Sequence, residues 1–213
     1  DHEPALGQRL SRAKAKIRAA AIPYRVPDPE DWPERLGAVL AVLYLIFNAG
    51  YQDGGSGSRD LCSEAIYLAR LLGQLRPGEP ETEGALALML LTHARRDARI
   101  GADGATVPPA EQDRGLWDRV LLSEGVAVLE CALERGRPGA YQIKAAIAAC
   151  HMLPIRPDWP RILALYDDLM AFEPTPVVEL NRVVALAETG ALTEAWARLD
   201  ALAASLEGYQ PFH

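Results

Sequence analysis

Apolar residues along this chain recur mostly at three- and four-residue spacing, the signature of helices that bury one face. The clearest case is Leu61, Ala65, Leu68, Ala69 and Leu72, a single stripe that predicts a helix from about Ser58 until Pro77 ends it. Before it, Asp31-Trp32-Pro33-Glu34 combines a capping residue, an early proline and an acid, and starts a helix reaching about Asn48. The apolar run Leu36 to Phe47 within it is too short to span a bilayer and reads as a buried helix. Further helices are predicted from Glu79 to Arg99 and from Asp113 to Glu134, on either side of the loop IGADGATVPPAEQ at 100–112. Shorter segments near 139–152, 159–172, 176–189 and 192–206 follow, separated by Pro154 and Pro157, by Pro174 and Pro176, and by Gly190. Each is too short to hold alone in water and must stack on its neighbours.

The pattern therefore predicts an all-α fold of stacked antiparallel helix pairs, a right-handed solenoid of the tetratricopeptide kind. Leu180 to Leu202 fits that repeat locally, with Gly190 at the turn and Glu194-Ala195 where small side chains let two helices approach. Ahead of these helices lies a segment of different character. Residues from about Pro4 to Ala20 form an Arg-, Lys- and Ala-rich helix, with Leu6, Leu10, Ala13 and Ile17 as its apolar stripe. Pro23, Pro27, Pro29 and Pro33 follow, so the organisation read from the sequence is residues 1–22, a proline-rich linker at 23–30, and a helical-repeat part at 31–213.

Charge sharpens this division. The chain has a net charge of −7, yet its first 25 residues hold six Lys or Arg against two acids, leaving 16 against 27 in the remainder. A basic helix joined to an acidic body reads either as a solvated amphipathic helix or as one that meets nucleic-acid phosphate. Arginine outnumbers lysine 19 to 3, and its planar fork suits fixed pairing with carboxylates. Charged groups flank the two long loops, at Asp53, Arg59-Asp60 and Glu64, at Arg95-Arg96, and at Asp113-Arg114 with Trp117. They read as an interaction surface or as a structural ion-pair network.

Motifs for chemistry are missing. The loop GYQDGGSGSRDLC at 50–62 has serine where a phosphate-binding loop needs lysine, and glycines where a calcium loop needs inner carboxylates. It reads as a shaped turn. The histidines at 2, 93, 151 and 213 have no metal-ligand spacing, and Cys62, Cys131 and Cys150 have no CxxC pairing. They read as reduced core thiols of a cytoplasmic protein, and no cofactor, metal, membrane span or catalytic set is expected.

Residues 3–25, EPALGQRLSRAKAKIRAAAIPYR, resemble the end of region four of a bacterial extracytoplasmic-function sigma factor, where the recognition helix of a helix-turn-helix carries a Q/S-R-L-x-R-A-K/R signature. The stretches LYLIFNAGY, SRDLCSEAIYLARLL, PETEGALALMLLTHARRDAR, EQDRGLWDRVLLSEG, PGAYQIKAAIAACH and PVVELNRVVALAE resemble the helical, tetratricopeptide-like extension that one group of these factors carries after region four. The resemblance implies a transcription initiation factor that binds RNA polymerase core and directs it to promoters. It implies DNA contacts from Gln8, Arg9, Arg12, Lys14 and Lys16, feeble in this chain because the rest of the motif is absent. It also implies that Gly208 to His213 begin a further helix pair. On this reading the extension binds the sigma regions or the polymerase. A repeat module binding a peptide or small-molecule signal is the alternative.

Overall fold

The computed structural model describes residues 28–52, 60–101, 104–154 and 156–206, with helical positions also at 11, 12, 15, 16 and 19. Eight α-helices with defined bounds and four 3-10 turns make up the regular structure among the described residues, beside one isolated bridge between Ile100 and Thr106. The fold class is all-α, as the spacing predicts.

The chain divides into two units, residues 1–38 and 39–213. In the first, Arg12 and Lys16 are exposed helical positions, and a 3-10 turn at Pro29–Asp31 leads into α1 (Trp32–Gln52). The second holds the rest of α1, then α2 (Leu61–Leu75), α3 (Pro80–His93), α4 (Arg119–Glu134), α5 (Ala140–Met152), α6 (Trp159–Met170), α7 (Pro176–Glu188) and α8 (Leu192–Leu202). From α2 onward each helix has a sequence neighbour among its packing partners, and the all-round apolar α3 forms the hub between α2, α4 and α5. Ala85, Ala87, Met89, Leu90 and Leu91 of that helix are completely buried.

Small residues set the helix spacing. A Cβ on Gly84 would lie 2.6 Å from the Gln142 backbone nitrogen, so α3 and α5 meet at a distance only glycine permits. Beyond α5 the core continues through Ile143, Ile147, Ile162, Leu169, Val178 and Ala185, and then Val183, Leu186 and Ala195. Gly190, at φ 95°, makes the α7–α8 turn at the position the repeat pattern assigns to it.

Besides α1, which runs on through Gly50 to Gln52 where an end near Asn48 is expected, two helix boundaries differ from expectation. The helix predicted to reach Arg99 stops at His93, because the Ala94 carbonyl accepts from the backbone N–H of Asp118, at 2.7 Å, on the returning chain. The helix predicted from Asp113 starts only at Arg119. Asp113 caps a separate 3-10 turn, Arg114–Leu116, through the Gly115 N–H, whereas Asp118 caps α4 through the N–H groups of Val120 and Leu121. A further correction concerns the thiols: Cys62 is buried and Cys150 half-buried, but Cys131 is exposed on α4 and is no core residue.

Candidate functional site

Asp60 organises the charged groups of the second unit. As N-cap of α2 it accepts from the Ser63 N–H at 3.1 Å and the Ser63 hydroxyl at 2.9 Å. Its Oδ2 also accepts from Arg96 Nη1 at 2.7 Å, which joins two groups that lie 36 residues apart in the chain. Partial burial alone would raise the Asp60 carboxyl, but the hydrogen bonds from Arg96 and Ser63 outweigh it and hold the pKa at about 2.

Arg96 Nη1 lies 3.2 Å from His93 Nε2 as well. A guanidinium only donates, so this imidazole nitrogen accepts and the ring proton sits on Nδ1. His93 is buried, and its Nδ1 has no hydrogen-bond partner. Burial, and then the Arg96 charge, push its pKa down, so the ring is neutral at pH 7. One turn further on, the Arg99 guanidinium lies 3.8 Å over the Tyr51 ring while its Nη1 donates to the Tyr51 carbonyl at the end of α1. Phe47 stacks on Tyr51 and meets His93 edge to face, and its carbonyl accepts from the Cys62 thiol at 3.4 Å. Tyr51, Asp60, Cys62, His93, Arg96 and Arg99 together line a polar cavity of about 100 Å³.

The remaining residues of the charged set lie elsewhere. Arg114 donates to the Met152 carbonyl at the end of α5 and lies 5.0 Å over the ring of buried Trp117, so with Asp113 it pins the returning loop. The Arg95 charge acts on His151, whose pKa is lowered first by burial and then by that charge. Glu64 is exposed in the first turn of α2, where the helix dipole favours an acid. Asp53 and Arg59 lie outside the described residues, as do Gln8, Arg9 and Lys14 of the basic segment.

Sequence reasoning missed Tyr51, Cys62, His93 and Arg99 as members of the site. One signal was present: His93, Arg96 and Arg99 stand three residues apart in succession. Burial raises the pKa of the Cys62 thiol, which is already donating to a carbonyl, and so it is poorly placed as a nucleophile. No group of three or more His, Cys, Asp or Glu side chains is placed to hold a metal among the described residues. No described helix is long and apolar enough to cross a membrane.

Two comparisons with known proteins give a match. A family model described as a family of unknown function (DUF6596) matches residues 35–133, a span that includes every cavity residue named above. An uncharacterized protein of Rhizobium meliloti (strain 1021) is 47% identical over 217 residues, which cover 99% of this chain and 51% of the relative. The chain thus spans about half the length of the curated relative it matches. No solved structure matches it significantly.

Proposed function

We propose that this chain is part of a bacterial transcription initiation factor of the extracytoplasmic-function sigma group, in which the helical unit serves as a repeat-type binding module. The segment RLSRAKAKIR at 9–18 supports the class, with Arg12 and Lys16 exposed one turn apart on helical backbone as phosphate contacts require. The observation that carries the binding role is a pair of exposed apolar rows on consecutive helices. Val39, Val42 and Leu45 on α1 and Tyr67, Leu71 and Leu75 on α2 are between 38% and 69% exposed. Apolar side chains repeated along helix faces are suited to burial against protein, here the polymerase-binding regions of the full factor or RNA polymerase core. The charged residues are, by contrast, largely engaged within the unit: Asp60 pairs with Arg96 and Arg114 grips α5.

The test is promoter-directed transcription by the full-length protein carrying Leu45→Glu together with Tyr67→Glu. Activity falls while the circular dichroism spectrum and melting temperature hold, because both side chains are exposed. Undiminished transcription refutes the binding role. Asp60→Ala or Arg96→Ala serves as contrast, since fold-pinning groups lower melting temperature and activity together.

A further inference from the structure

The cavity between the end of α1, the start of α2 and the turn after α3 holds guanidinium N–H groups that no described acceptor takes up. Arg99 commits one N–H to the Tyr51 carbonyl and its face to the Tyr51 ring, and its other N–H groups have no acceptor among the described residues. Arg96 uses Nη1 on Asp60 and His93, and its Nη2 has no acceptor there either. His93 lines the same wall, and its Nδ1–H is a buried donor without a partner. The acceptors on the lining are the carboxylates of Asp60 and Asp97. Asp60 already accepts from Ser63 twice and from Arg96 once, while the Asp97 carboxylate, 3.6 Å from Arg96 Nε, is 75% exposed and screened by water.

We propose that this cavity binds a small free oxyanion of the carboxylate or phosphate class, held by the Arg99 fork with Arg96 adding a donor and His93 forming the wall beside it. Guanidinium groups with open N–H pairs match the two-oxygen edge of such an anion. The volume agrees: about 100 Å³ accommodates several waters, at roughly 10–15 Å³ each in the same measure, or one oxyanion of about five heavy atoms. The anion would also tie the end of α1 to the turn after α3, so occupancy stiffens the part of the unit on which the exposed α1 and α2 rows stand.

The site stands whether or not the chain belongs to a transcription factor, because binding is read on this chain alone without polymerase or promoter. The experiment follows the histidine ring resonances of the full chain by NMR as sodium phosphate or sodium acetate replaces sodium chloride at constant pH and ionic strength. His151, which packs edge-on against Trp159 at 5.3 Å, serves as the internal control. The expected result is a saturable shift of the His93 resonances with at least one of the two anions and none for His151. In Arg99→Gln the apparent affinity drops about tenfold or more, the loss expected for a charge-assisted hydrogen bond. Saturation with acetate alone identifies the carboxylate class, and with phosphate alone the phosphate class. An absent or unsaturable His93 shift, parallel movement of His151, or undiminished affinity in Arg99→Gln overturns the proposal. Should Arg99→Gln fail to fold, the wild-type titration decides by itself.

Discussion

Replacing Asp60 separates two roles that one carboxylate fills. Asp60→Ala removes the cap of α2 and the partner of Arg96 together, whereas Asp60→Asn retains a capping oxygen and loses the charge. A lost N-cap costs about 1 kcal/mol. The ion pair adds less, about 0.5 kcal/mol, because the Asp60 and Arg96 side chains are 39% and 44% exposed and water screens them. The alanine variant should therefore lose about 1.5 kcal/mol and the asparagine variant about 0.5 kcal/mol, read by urea denaturation followed by circular dichroism. A double-mutant cycle of Asp60→Asn with Arg96→Ala should give a coupling of about 0.5 kcal/mol that shrinks with added salt. The pH dependence has a definite sign. With the folded pKa depressed, the carboxylate's extra stability is fully present above its unfolded pKa near 4, and is lost as pH falls below that value. The advantage of wild type over Asp60→Asn should fade over that fall in pH. Equal losses for the alanine and asparagine variants, or a coupling of zero at low salt, would refute this division of roles.

Other expectations follow from the same packing. Glu81→Ala removes the carboxylate that accepts from the Tyr141 N–H, the Gln142 N–H and the Gln142 side-chain amide, so it should cost about 2–3 kcal/mol by thermal denaturation, with Glu81→Gln intermediate because its amide keeps one accepting oxygen and turns an N–H toward the other donor. Gly84→Ala drives a methyl to 2.6 Å from the Gln142 nitrogen and should lower stability by about 1–3 kcal/mol, whereas Gly73→Ala, with nothing within 4 Å, should be neutral or stabilising. A thiol reagent at pH 8 should modify exposed Cys131 first and buried Cys62 last, mapped by mass spectrometry of partly labelled protein. Faster labelling of Cys62 than of Cys131 would contradict the closed packing of α2 against the end of α1.

Helix breaks were legible wherever a local rule governs them. Pro80 and Pro176 stand in the first turns of α3 and α7, and Gly190 adopts the positive φ that the α7–α8 turn needs. The site was legible in part. The excess of arginine and the charge beside both long loops pointed to fixed ion pairs, and Asp60 with Arg96 is one. The partner of each could not be read, since nothing local links residues 36 apart in the chain.

By itself the sequence determined the all-helical class and the approximate start and end of most helices, because apolar spacing, caps, prolines and glycines act within a few residues. Tertiary structure decided where α3 stops and α4 starts, because the Ala94 carbonyl finds its donor at Asp118 and not within a helical turn. It also decided that Tyr51, His93 and Arg99 share one cavity with the Asp60–Arg96 pair. A cavity is formed by surfaces that meet only after α1, α2 and α3 have packed, and its unpaired donors become visible only once the hydrogen bonds of its lining side chains are in place.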